Sequence, residues 1–487
     1  MVKWRGRFPS GSGSEGLSKF QHDLTQGSVA KQLLLFSLPF LASNLLQALY
    51  NMADMLIVGW FNGSVGATAV GMGGQVTILV INLISGLAVG GTVLIAQYIG
   101  AKRQEEVAQT VGTMFSLYAI CGAVITVVML LLGSTVLRWM NTPAEAFDET
   151  LAYLNICMGG TLFVVGYNAV SAVLRGMGDS KHPLIFVAIA CIVNVILDLL
   201  LVGAFDMGAA GAAWATIAAQ AISFIISVIF LRGRDFVFDF HPRSFRIHGD
   251  IAGKLVQIGL PASLQGTLVS FSFMVLTSIA NMVTVPAIIG STTLSVAGKV
   301  NSVAILPSMA MQASVSSMVG QNMGAGKPER AKKTMWVAIG FAFAFSVLVY
   351  ALVNLFPNEI ISVFIGGSSD PALAECLEEF KLQSATYLRC ISYDYLLTSV
   401  LFCINGLAMG VGQTLFSMCN GIFSSLLLRI PAAYLFGEVL GWGLAGVGLA
   451  APTATLGGLL IAIVYLLTGS WKRAKIAGAQ RKEPLPD

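Results

Sequence analysis

Charge is scarce in this chain. Asp, Glu, Lys and Arg make up 11% of its 487 residues, where a soluble domain carries about 25%. An ordinary water-exposed surface is excluded. Histidine is rarer still: His22, His182, His241 and His248 all fall in polar tail or loop segments. Neither a His metal site nor an intramembrane His relay is indicated. The seven cysteines lie mostly within apolar runs and lack paired or metal-ligand spacing, which makes them small packing residues. No Ser–His–Asp arrangement, metal signature or Walker A sequence occurs. An enzyme, a cofactor and a nucleic-acid partner are therefore not expected, and a transporter built on this chain must draw on an ion gradient.

What the chain does have is long apolar sequence, at 56% hydrophobic residues. Runs near 20 residues recur along its length, each enough to cross a hydrocarbon core of about 30 Å. Short alternating segments, the mark of a transmembrane barrel, are missing. The pattern predicts an all-α polytopic membrane protein with twelve spans, at 33–58, 67–97, 107–133, 150–173, 184–203, 209–231, 252–278, 290–318, 335–355, 384–408, 414–436 and 444–468.

Lys and Arg concentrate in alternate connections: the N-terminal tail, "GAKRQEE" (100–106), "RGMGDSKHP" (175–183), residues 232–250, "GAGKPERAKK" (324–333) and "WKRAKIAGAQRK" (471–482). The positive-inside rule places these segments, and both termini, in the cytoplasm. The tail lacks a cleavage site after a short apolar core and reads as a leader, not a signal peptide. The expected organisation is a cytoplasmic tail (1–30), an N-lobe (31–235), a cytoplasmic inter-lobe loop (236–250), a C-lobe (251–470) and a second cytoplasmic tail (471–487). The expected location is the plasma (inner) membrane, with the lipid bilayer as surroundings and the chain acting as a monomer.

The two halves repeat. "SLP" (37–39) matches "GLP" (259–261), and "AQYIGA" (96–101) matches "GQNMGA" (320–325). "RGMGDS" (175–180) matches "MGVGQT" (409–414), and "MGAAGAAWAT" (207–216) matches "WGLAGVGLAA" (442–451). The offsets are 222, 224, 234 and 235, in order along the chain. Six spans is an even number, so the copies share orientation and form two lobes related by a pseudo-twofold axis along the membrane normal.

Charges inside spans cost roughly 2.5–3.5 kcal/mol each on insertion scales, which marks those retained as functional candidates. Asp54 ends a polar stripe of Asn44, Gln47 and Asn51 on one helix face, with Tyr50 four residues before it. In "IVNVILDLLL" (192–201), Asp198 follows Asn194 by one turn, and on the next span Thr216 and Gln220 share a face. Buried carboxylates need a proton, a cation or a partner, and no Lys or Arg lies inside these spans. If Asp54 and Asp198 meet, their titrations couple; alternatively, carboxylate, amide and hydroxyl oxygens enclose Na⁺. Either way the three residues Asp54, Asn194 and Asp198 form a cation-coupling site, a metal site only if the ion is Na⁺. The plainer reading makes both acids unrelated helix-end residues that snorkel to water.

The second half carries other charges: Lys299, Arg389, Asp394 and Arg429. Lys299 or Arg389 is expected to pair with Asp394, and the three are candidate charges of a C-lobe cavity. Arg429 reads as a loop tether. Pro39 and Pro261 occupy matching places in spans one and seven. A proline frees a carbonyl and permits a bend, so Pro39, about four turns before Asp54, is a candidate hinge. Gly86 and Gly90 mark close helix packing.

Taken together, "SLPFLASNLLQALYNMADMLIVGWFNG", "AQYIGAKR", "LRGMGDSKHP", the repeated "GLP" and "GQNMGAGKPERA" resemble the multidrug and toxic compound extrusion (MATE) family over residues 30–470. The resemblance implies a V of two six-helix lobes and alternating-access antiport of amphipathic, often cationic organic compounds against H⁺ or Na⁺. Asp54, Asn194 and Asp198 match the N-lobe cation site of its DinF-like branch, Tyr50 and Thr216 the surrounding hydrogen-bond network, and Pro39 the bending proline. The NorM-like branch has a helix-seven glutamate where this sequence offers Val269, and its helix-ten aspartate lies about one turn from Asp394. Coupling is therefore expected in the N-lobe. The alternative is a lipid-linked oligosaccharide flippase of the same superfamily, which the second-half bases favour and the twelve spans and N-lobe acids oppose.

Overall fold

In hydrocarbon every backbone N–H and C=O must find a partner within the protein, and a helix provides one along its own length. The apolar runs accordingly fold as helices. A computed structural model describes residues 21–140, 142–232, 236–286, 288–365 and 376–472. Residues 1–20 and 473–487 of the two expected tails, and the 233–235 end of the expected N-lobe, lie outside the described residues.

Among the described residues ten helices are long and apolar enough to cross a membrane singly, and two further crossings are bent pairs. In chain order they are α1 (Val29–Gly63), α2 (Val65–Gly100), α3 (Gln104–Trp139), α4 (Ala144–Gly159 and Thr161–Gly176, bent by 49°), α5 (Lys181–Ala204) and α6 (Gly208–Arg232). The second half gives α7 (Gly249–Met282), α8 (Ile289–Ala304 and Leu306–Gly324, bent by 41°), α9 (Pro328–Leu355), α10 (Leu377–Gly410), α11 (Thr414–Val439) and α12 (Gly443–Thr468). Each of the twelve expected spans falls on one helix. A short helix, Pro357–Ile365, follows α9.

The chain turns from α1 into α2 at one residue. Gly63 adopts φ 64° and ψ −156°, a conformation that a side chain disfavours. At the far end of α5 the backbone widens into a π-helix over Leu199–Ala204, directly after Asp198. In the second half α11 carries two such stretches, Phe423–Leu428 and Leu435–Val439. π turns within helices often mark functional sites.

Two six-helix lobes result, and the repeat motifs meet at their seam. Gln97 Nε2 donates to the Gly410 carbonyl at 2.9 Å, and Gln321 Nε2 donates to the Gly176 carbonyl at 3.4 Å. These partners belong to the paired motifs found in the sequence, so the contact is reciprocal, as a twofold axis requires. The glycines that follow let the backbones touch. A Cβ on Gly100 would stand 2.0 Å from the Gln321 oxygen, and one on Gly324 would stand 2.0 Å from the Gln97 oxygen. Gly86 and Gly90 do the same for α2 against α7, where added Cβ atoms would meet the Gly259 and Leu255 carbonyls at 2.1 and 2.6 Å.

The first helix of each half crosses between lobes. Val29 and Leu33, at the start of α1, are buried among Met311, Val315, Met318 and Met335 of the second half. Further along, Ile57 and Val58 are buried in the N-lobe core. Likewise Ile251, Leu255 and Ile258 of α7 sit in the N-lobe core, whereas Leu276 and Ile279 sit in the C-lobe core. Pro39 and Pro261 lie between the two anchorages of their helices.

Candidate functional site

The crossing of α1 carries its far half into the N-lobe, where α5 packs between α1 and α6. Asp54 from α1 and Asn194 and Asp198 from α5 come to rest there, 5%, 1% and 0% exposed. Their burial sets aside the reading in which the acids snorkel to water. The two carboxyls lie close enough to interact electrostatically. Carboxyl oxygens so placed repel unless a proton or cation lies between them.

Hydrogen bonding around the acids is one-sided. Asn194 Nδ2 donates to Thr216 Oγ1 on α6 at 3.4 Å. Asn194 Oδ1, Asp54 Oδ1 and both Asp198 oxygens are buried with no hydrogen-bond partner among the described residues. Burying an acceptor without a donor costs about 1–3 kcal/mol, so a cluster of four is a demand for positive charge. Among the described residues no group of three or more His, Cys, Asp or Glu side chains is arranged to hold a metal ion. The donor set is oxygen throughout: two carboxylates, an amide and a nearby hydroxyl. It suits a proton or a hard monovalent cation and offers nothing to a soft metal.

Tyr50 is half-buried one turn before Asp54, within electrostatic reach of both acids and of Cys157 and Cys191. Thr216 is half-buried. Pro39 lies within α1. It has no N–H for the Leu35 carbonyl, and its own carbonyl accepts a 2.9 Å bond from Ser43 Oγ. Cys191 Sγ, at 3.7 Å, donates to the Leu46 carbonyl and ties α5 to α1 between Pro39 and Asp54.

Sequence reasoning missed a polar wall on α4. Tyr153 and Cys157 are 5% and 2% exposed and lie within electrostatic reach of each other and of Asp54. Tyr153 packs against Gly73, whose added Cβ would fall 2.5 Å from the nearest ring carbon. The only signal for the pair was its four-residue spacing, which any two neighbours on a helix share.

In the C-lobe the pairing differs from expectation. Asp394, 6% exposed, is met by Arg429 of α11 at 4.0 Å, and that guanidinium lies 5.3 Å from the centre of the Phe273 ring. Arg429 is thus the ion-pair partner and not a loop tether. Arg389 is exposed, because five residues along a helix turn it well away from the face of Asp394. Lys299 lines a cavity of about 390 Å³ with Phe273, Thr277, Tyr387 and Ile391. Of the three expected cavity charges, only Lys299 lines that cavity.

The family model described as MatE matches residues 39–200 and 261–435. The chain belongs to the MatE family. The match covers both halves and leaves out the segments that begin α1 and α7. Among curated proteins, this MatE chain is 29% identical over 455 residues to "Probable multidrug resistance protein YpnP" of Bacillus subtilis, covering 93% of this chain and 98% of that one. It is 24% identical to "Probable multidrug resistance protein NorM" of Thermotoga maritima, over 94% and 96% of the two chains. Its identity to an "FAD transporter" of Shewanella oneidensis is also 24%, over 90% and 94%. Among solved structures it resembles "Outward-facing conformation of a multidrug resistance MATE family transporter of the MOP superfamily", with TM-score 0.83, 26% identity and coverage of 94% and 98%. A MATE "in the bent conformation" matches at TM-score 0.83 and 26% identity, over 93% and 97%.

Proposed function

We propose that this MatE protein is a secondary active exporter of amphipathic, often cationic organic compounds, driven in antiport by H⁺ or Na⁺ through alternating access. The observation that carries the reading is the cluster of buried acceptor oxygens on Asp54, Asn194 and Asp198 that have no donor. A single cation taken up there offsets one of the two carboxylate charges and relieves their mutual repulsion. Its release leaves two facing acids that repel, and Asp54 sits on the helix that crosses between the lobes. Ion occupancy and lobe arrangement thereby act on the same helix, with Pro39 as its hinge. Relatives named as multidrug resistance proteins support the substrate class. The N-lobe acids favour a drug exporter over a lipid-linked oligosaccharide flippase.

In this reading the chain works as a monomer in the cell membrane, with both ends in the cytoplasm, as the distribution of Lys and Arg supports. The test is drug efflux from proteoliposomes under an imposed Na⁺ gradient or an imposed pH gradient, one at a time. Export driven by one of them and lost in Asp198→Asn is the expected result. Export that ignores both gradients would refute antiport.

A further inference from the structure

Residues 21–28, ahead of α1, lie across the seam between the lobes and bond to both. On the N-lobe side, the His22 N–H donates to the Met177 carbonyl at 3.0 Å, and the Gln21 and Gln104 amides exchange bonds of 2.8 and 3.1 Å. On the C-lobe side the anchorage is heavier. Arg330 donates to the carbonyls of Gly27 and Gln26 at 2.8 and 2.7 Å, and Lys327 Nζ donates to the Thr25 carbonyl at 3.0 Å. Leu24 is 5% exposed and joins the C-lobe core beside Val29 and Leu33.

One bond links this segment to the seam itself. The Leu24 N–H donates to Gln321 Oε1 at 3.0 Å, and the same amide's nitrogen bonds Gly176 across the lobes. Fixing the oxygen aims the nitrogen. The repeat partner Gln97 makes the equivalent bond to Gly410, yet its Oε1 is buried without a partner. The two halves are therefore alike in the seam bond and unlike in what holds it. Among the described residues the N-terminal segment supplies that donor to Gln321, and nothing supplies it to Gln97.

We propose that residues 21–28 are a latch for alternating access: anchored on the C-lobe by Arg330, they hold Gln321 in place and bridge to Met177, keeping the lobes together on the face that carries the start of α1. Opening of that face breaks the bonds to Met177, Gln104 and Gly176. The stronger C-lobe anchors retain the segment, so the same latch re-forms when the lobes close. The proposal takes alternating access from the reading above but does not depend on which ion drives it.

The test is hydrogen–deuterium exchange of the detergent-solubilised full chain, without substrate or ion gradient. It follows residues 97–102, at the end of α2 and just beyond it, and α12 serves as the internal reference. Arg330→Ala removes the anchor, and a chain starting at Ser28 removes the latch. Both are expected to raise exchange at 97–102 about tenfold, the effect of losing a hydrogen bond to a charged group, with α12 unchanged. Unchanged exchange at 97–102 in both variants overturns the proposal. A rise in Arg330→Ala alone also overturns it, since Arg330 then acts through its bond to Gln32. Should Arg330→Ala raise exchange throughout α12 as well, it has unfolded, and the shortened chain decides alone.

Discussion

Gln97 and Gln321 make the same hydrogen bond in opposite directions across the seam, to Gly410 at 2.9 Å and to Gly176 at 3.4 Å. Each comes from a copy of one motif, and each is followed by a glycine that lets the opposite backbone approach. The duplication is thus a contact as well as an ancestry: two copies of a segment serve as each other's binding surface.

That contact predicts the effect of a single methyl group. Gly324→Ala places a Cβ 2.0 Å from the Gln97 carbonyl oxygen, and backbone cannot move aside as a side chain can. The closed face should lose about 1–3 kcal/mol, the usual result of overpacking, and transport should slow. Gly340→Ala on α9 meets nothing within 4 Å and should leave transport unchanged while favouring its helix by about 1 kcal/mol. Efflux rates and melting temperatures of the two variants test the contrast.

Asp198→Asn keeps the shape of the site and removes one of its two charges. Ion-driven export should be abolished with expression and melting temperature close to those of the parent. Near-normal drug extrusion by this variant would sink the assignment of the coupling site.

Pro39→Ala returns an N–H to the Leu35 carbonyl and stiffens α1 between its two anchorages. Turnover should fall further than substrate affinity does. Comparison of efflux rate with equilibrium drug binding separates the two, and an unchanged rate would refute a hinge.

Arg429→Met leaves Asp394 buried without its partner, in a pair whose side chains are 12% and 8% exposed. Breaking a buried pair on one side costs about 3–5 kcal/mol, so thermal unfolding in detergent should occur at a clearly lower temperature. Adding Asp394→Asn should recover much of that loss. A double variant no more stable than the single would argue against the ion pair.

How much of this was legible beforehand varies by residue. Asp54, Asn194 and Asp198 announced themselves, because a carboxylate in a run of Leu, Ile and Val has few explanations. Tyr153 and Cys157 did not, since a tyrosine and a cysteine are ordinary in an apolar helix. The partner of Asp394 was misjudged for a related reason. Lys299 and Arg389 are as basic as Arg429, and helix rotation and crossing angle decide which of them can reach the acid.

The amino-acid sequence by itself determined twelve helices, their places along the chain though not their ends, and a twofold repeat. Hydrocarbon leaves an apolar run no other way to satisfy its backbone, and ordered matches at a slowly growing offset do not need coordinates. Only the tertiary structure decided that α1 and α7 each begin in one lobe and end in the other, that the repeat motifs clasp one another, and that residues 21–28 fasten the seam. Such features rest on contacts between residues some 300 positions apart, as from Leu24 to Gln321. Local pattern records which face of a helix is buried, not against what.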